Sequence, residues 1–435
     1  MISENEVSKW IRDMCGFGYR RPGTEADKRT QEYLVERLRE FGLDNVWVEP
    51  IEFGMWDPRD VRLLQGDDSF SCEPLQYSRF TDPEGVEGDA IYIENGEKIA
   101  EYDIKDKIVV VDIRYGELSI DFLRVFAEWI YDPDNTLSTY RQPATWINEM
   151  ERMVYDEAKK QGALGIVFIF PFNMRPYILS PEADPYNDSY GMVPGVVLTR
   201  DEGARLKKRL MNGAKELKLI QYGEIIRTTT ANILGEISRD EDSYIVIGSH
   251  NDSMWEGGTE DASGSAVVLG AAKHLARHKG DVSHSIVFLF DAAEQIDVMG
   301  SKAFIDRHRD DILKKMKVEI HMEHIARETL VKNGEIIVTD ELQPRAIFVS
   351  KREDLYNLVK DMIVKHDMRR TIMLPTNTPL GVPTDATKFA EAGYPLISFI
   401  SAPLYWNTDL DTVDKVPIPE VVRTIGFTVD LAKNI

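Results

Sequence analysis

Gly248-Ser249-His250-Asn251-Asp252-Ser253 closes the apolar run 244–249 with small and polar residues. The run reads as a buried strand that delivers an imidazole and a carboxylate at its carboxyl end, the edge where α/β sheets gather ligands. Three other segments end in the same way: Phe290-Asp291-Ala292-Ala293-Glu294-Gln295, His321-Met322-Glu323-His324 and Trp406-Asn407-Thr408-Asp409. A fifth polar cluster, Gly257-Gly258-Thr259-Glu260-Asp261-Ala262-Ser263-Gly264, leads from a loop into a helix. Imidazole and carboxylates converging from separate strands are how a divalent metal site is made. One such terminus would be an ordinary polar strand end; five in chain order point to a site. Asp252, two residues beyond His250, is placed to accept the other imidazole N–H and fix the tautomer.

Outward from these termini, apolar strands at 244–249, 285–290, 317–324 and 396–400 alternate with helices beginning near Ser263, Gly300 and Leu355, and a last helix spans 419–433. This pattern predicts an α/β fold whose mixed, mostly parallel sheet is covered by helices on both faces. Near the start, Tyr33, Leu34, Leu38 and Phe41 share one face of a helix over 24–42, and a strand follows at 45–53. Between about 70 and 222 the texture changes to short strands (90–94, 107–113, 163–170 and 193–198), with a helix at 201–211. Two domains are expected: 1–69 with 223–435, and 70–222 inserted into it. A chain of 435 residues with 43% hydrophobic content suits two cores.

The net charge of −22, without a basic stripe, argues against nucleic acid and acidic lipid as partners. No stretch approaches the roughly 20 apolar residues of a membrane helix. The first residues lack a secretory signal, and two cysteines do not form a disulfide framework, so a cytoplasmic location is expected. Homo-oligomerisation is left open.

The His-x-Asp-Ser strand end, the Gly-x-x-Asp-x-Ser-Gly loop, Ala-Ala-Glu before a Gly-Ser helix start, Met322-Glu323-His324-Ile325 and the closing Trp-x-Thr with Asp-Thr resemble the zinc aminopeptidase and glutamate carboxypeptidase family. The likeness runs from about Ala231 to the C-terminus. Segments 106–111, 162–167 and 193–196 resemble a protease-associated domain. The resemblance implies two zinc ions sharing an aspartate. It puts His250, Asp261 and Glu323 on the ligands of one, with Asp261 as the bridge followed by a cis peptide bond. It puts Glu294 on the general base that takes a proton from the attacking water. The second metal's own ligands, a glutamate and a histidine in the family, fall on Gln295 and Asn407, whose neutral amides are weaker donors.

The expected function is therefore a metal-dependent hydrolase of a peptide or amide C–N bond, aminopeptidase-like, with one firmly bound metal and a degenerate second site. The metal is zinc, with manganese, iron and cobalt as alternatives. A specialised small-molecule amidohydrolase and a non-catalytic binding relative are the competing readings. Trp255, Glu256, Arg327, Tyr405 and Trp406 border the site and are candidates for a substrate pocket. His321 is expected on the face of Glu323 and His324 on the opposite face, each read as a buried structural histidine, with replacement of a missing metal ligand as the alternative.

Overall fold

The computed structural model describes residues 2–239, 241–379 and 381–435. Its main sheet runs in the order Glu216–Ile237, His284–Asp291, Glu241–His250, Met316–Met322, Leu396–Ser401, Arg345–Val349 and Thr371–Pro375. Glu241–His250 pairs in parallel with both neighbours, and Met316–Met322 pairs in parallel with Leu396–Ser401. His250 stands opposite Asp291, and Gly248 opposite His321. The polar ends read from sequence are thus brought to one edge.

The strands read as unbroken apolar runs because both sheet faces are buried. Ile245, Ile247, Ile286 and Phe288 share a core with Val7, Leu34, Ala266 and Ile425, from helices Glu4–Cys15, Glu25–Phe41, Gly264–Arg277 and Ile418–Asn434. The intervening Val246, Val287 and Leu289 face Phe304 and Phe389, from Met299–His308 and Thr387–Glu391. The period of two sends each set to its own side.

Glu25–Phe41 starts where Thr24 caps the Asp27 amide and stops at Gly42, whose φ of 80° suits a residue without Cβ. The preceding helix, Glu4–Cys15, was not anticipated. Its signal is present, since Ser3 and Glu6 form a reciprocal capping box.

The strand expected at 45–53 continues to Gln65. It pairs antiparallel with Glu216–Ile237 from Asn45 opposite Glu236 to Leu64 opposite Lys218, with one irregularity between Pro58 and Asp60. This long ribbon carries the chain out to parallel strands Ile108–Asp112, Gly165–Ile169 and Gly195–Leu198 and back again. Residues 117–146 depart from that group. Trp129–Tyr131 pairs antiparallel with Thr371–Pro375, and Leu118, Leu123 and Tyr140 pack with Phe348, Ile372 and Ile400.

The turn after Asp291 leaves no room at Gly300: a Cβ there would lie 2.4 Å from the Ala292 nitrogen and 2.5 Å from its oxygen. Backbone cannot yield as a flexible side chain can. Gly300→Ala is expected to lower unfolding free energy by about 1–3 kcal/mol, read from chemical denaturation.

Candidate metal centre

His250 ends its strand fully buried, with Nδ1 3.3 Å from Asp252 Oδ1 and Nε2 3.3 Å from Glu260 Oε1. The segment after it is irregular and would present bare carbonyls to the interior. Arg20, buried from a distant loop, donates to the carbonyls of Asn251, Glu256 and Gly257 at 3.1, 2.8 and 2.9 Å. Asp411 accepts from the amides of Thr259 and Glu260, both at 2.9 Å. Neither clamp was read from sequence as part of the site, although Asp411 belongs to the closing Asp-Thr pair.

Glu260 and Asp261 are adjacent, buried and differently used. The structure has its cis peptide bond between them, one residue earlier than the Asp261–Ala262 bond expected. Asp261 accepts from Ser249 Oγ at 2.6 Å, the Gly264 amide at 2.9 Å and the His324 amide at 3.2 Å. It ties three segments together, and burial pushes its carboxyl up to about 6. Glu260 instead turns its carboxylate toward His250 and His324, with Oε2 in close contact with His324 Nε2.

His324 reaches this cluster because it does not continue the strand. Met316–Met322 ends before it, and its φ of 46° turns the side chain back toward the site rather than to the opposite face. Its Nδ1 donates to the Ser401 carbonyl at 2.9 Å, which leaves Nε2 facing inward. His250 Nε2, Glu260 Oε2 and His324 Nε2 are buried without a hydrogen-bond partner among the described residues. Ligand atoms of these three residues lie within 4.8 Å of one another. Orphaned, converging donors of this kind fit a divalent ion.

Glu294 follows Ala293, which has a φ of 59°. The turn is held by Asp252, whose two oxygens accept from the amides of Glu294 at 3.0 Å and Gln295 at 3.2 Å. Burial, with Glu260 and Glu323 nearby, holds the Glu294 carboxyl well above the usual range. Burial opposes protonation of His324, but Glu260 overrides it and raises that imidazole to about 10. The field at this edge favours positive charge.

Gln295 uses its amide as a donor, to Glu294 Oε2 at 2.7 Å and to Glu260 Oε1. Asn407, in the left-handed region with a φ of 52°, keeps a buried Oδ1 without a partner among the described residues. Both line a cleft with Tyr177 and Trp406. Glu323 lies beside His321 and 3.8 Å from His324 Nε2. Of the pocket candidates, Trp406 lines an apolar cavity together with Glu294, Glu323 and His324. Trp255 packs against Tyr19 and Arg175. Glu256 accepts from the Val413 amide, and the Arg327 amide donates to the Tyr405 hydroxyl.

A mixed sheet under two helical layers thus gathers buried imidazoles and carboxylates at one edge, an arrangement of side chains that could hold a metal ion. Residues 232–429 match the model of peptidase family M28. A probable leucine aminopeptidase 2 of Aspergillus oryzae is 23% identical over 311 residues, 70% of this chain and 54% of that protein. A glutamate carboxypeptidase 2 homolog of Caenorhabditis elegans is 28% identical over 181 residues, 39% of this chain and 23% of its own length. The chain thus spans about half or less of the length of these curated relatives. Among solved structures, a zinc aminopeptidase from Bacillus subtilis superposes with a TM-score of 0.72 at 16% identity, covering 99% of this chain and 94% of that one. An aminopeptidase from an Aneurinibacillus species gives 0.66 at 19% identity, with the same coverage. These likenesses establish the fold.

The two neighbouring acids are expected to separate by experiment. Glu260→Gln should weaken metal binding at least tenfold without lowering the melting temperature of the metal-free protein. Asp261→Asn should destabilise the metal-free protein by about 1–3 kcal/mol, because its buried donors lose their acceptor. Calorimetric metal titration and thermal melts read the two effects.

Proposed function

We propose that this chain is a metal-dependent, aminopeptidase-like hydrolase of peptide or amide C–N bonds, holding a divalent ion on His250, Glu260 and His324. The observation that carries this reading is the convergence of three buried donor residues with unpartnered atoms beside Glu294. Two imidazoles and a carboxylate suit zinc. When bound, the ion supplies Lewis acidity to the scissile carbonyl and makes water acidic enough to attack near neutral pH.

The protein's own groups would do the rest. Asp252 orients His250, and its acceptance of the Glu294 and Gln295 amides fixes the turn that presents the Glu294 carboxylate. Glu294 takes a proton from the attacking water and returns it to the leaving amine. Gln295 holds Glu294 and Glu260 in register by bridging them. Because its amide hydrogens point at both carboxylates, Gln295 acts as a spacer between acids, which supports a degenerate metal position there. Asp261 and Glu323, the other two ligands suggested by family likeness, lie outside this ligand set: Asp261 ties three segments together, and Glu323 turns its Oε1 toward His321.

The cavity beside Glu294, Glu323 and His324 is walled by Leu118, Trp146, Phe348 and Ile372. This lining supports a substrate with an apolar group next to the cleaved bond. The aminopeptidase names of the relatives support a peptide, whereas the closure of the cavity by residues 117–146 favours a small amide as the second reading. Residues 70–222 are read as an inserted, protease-associated-like unit, supported by its parallel strands and its own apolar cluster around Val109, Val154 and Phe168. Two free cysteines, Cys15 and Cys72, support a reducing, cytoplasmic setting.

Glu294→Gln is expected to reduce turnover of leucyl and phenylalanyl amides by about 10²–10⁴-fold, with metal content unchanged. Elemental analysis beside steady-state rates checks it. Near-native rates would remove Glu294 from the chemistry, and a native protein that binds metal but cleaves neither peptides nor amides would favour the binding relative.

A further inference from the structure

We propose that the chain holds a second divalent cation, away from Gln295 and Asn407, on His321, Glu323 and Asp385. Their ligand atoms lie within 4.8 Å of one another, and all three residues are buried. His321 Nε2 is 2.9 Å from Glu323 Oε1 and 3.7 Å from Asp385 Oδ2.

Strand geometry builds the site. Glu319, His321 and Glu323 alternate along one face of the strand and its exit, while Ile320 and Met322 face the apolar core. Glu319 Oε1 lies 2.9 Å from His321 Nδ1, the carboxylate–imidazole pairing that fixes a tautomer with Nε2 free for a metal. His321 Nε2 and both oxygens of Asp385 have no hydrogen-bond partner among the described residues. Asp385 comes from the loop before Thr387–Glu391, and its own amide donates to Glu323 Oε1 at 3.0 Å. A cation here would satisfy every orphaned atom of the cluster that faces it.

Charge points the same way. Asp291 and Glu319 add two more buried acids around Asp385 and His321, each with one oxygen unpartnered among the described residues. One imidazole cannot offset four carboxyl groups. Glu323 faces both clusters, Oε1 toward His321 and Oε2 3.8 Å from His324 Nε2. It becomes the bridge of a two-cation centre. Imidazole with carboxylates suits zinc, manganese or cobalt.

The test is titration of the chelator-treated protein with cobalt(II), followed by visible absorption and by elemental analysis after dialysis. Two equivalents are expected for the native protein. His321→Gln and Asp385→Asn should each retain one, and His324→Ala should retain the other with a different absorption band. Should His321→Gln not fold, the isosteric Asp385→Asn and the native stoichiometry still decide. One equivalent in the native protein, lost in His324→Ala but kept in Asp385→Asn, overturns this second site and leaves the first standing. One equivalent kept in His324→Ala but lost in Asp385→Asn overturns the first and leaves the second. No bound cobalt overturns both. Two equivalents persisting in Asp385→Asn and His321→Gln also overturn the proposal and leave a protonated Asp385 as the account of its isolation.

Discussion

Buried carboxylates outnumber fixed positive groups at the carboxyl edge of the sheet, and most of the local architecture follows from that imbalance. A desolvated carboxylate must be met by N–H donors, a proton or a cation. The chain meets the first group with backbone: Asp411 takes two amides of the 257–263 loop, Asp252 takes two of the turn at Glu294, and Asp261 takes those of Gly264 and His324. These acids hold the loops in place. Glu260, Glu323 and Asp385 are treated differently, since they face imidazole nitrogens that lack hydrogen-bond partners. Structural and chemical carboxylates are therefore distinguished by what their oxygens touch rather than by burial, which all of them share.

The same distinction explains what the sequence could and could not convey. Runs such as 244–249 and 285–290 are legible because strand period and burial constrain every residue in them, and they emerge as Glu241–His250 and His284–Asp291. Glu260 and Asp261 sit on an irregular loop, where no period says which of two adjacent acids turns inward. His324 follows a regular strand, so alternation assigns it to the far face. Its left-handed backbone, which no local signal announces, reverses that assignment. Residues 117–146 were equally silent: their contact with the main sheet rests on the three-residue strand Trp129–Tyr131 and scattered apolar residues such as Leu118 and Leu123.

Gln295 and His324 act on Glu260 from two sides. An amide at Gln295 inserts N–H donors between Glu260 and Glu294, which lowers repulsion where a further carboxylate would raise it. The imidazole of His324 approaches Glu260 from the other side.

The ribbon formed by Asn45–Gln65 and Glu216–Ile237 has a mechanical meaning. Domain closure by hinging needs a few unpaired residues that absorb large backbone rotations. Here both crossings between the two halves lie inside one hydrogen-bonded ladder, interrupted by a single irregularity near Pro58. A third attachment is made by Trp129–Tyr131 on Thr371–Pro375. Fastened at both ends, the outer segment has no unpaired hinge at these crossings, so the walls of the apolar cavity drawn from 117–146 are tied to the main sheet by backbone pairing as well as by packing.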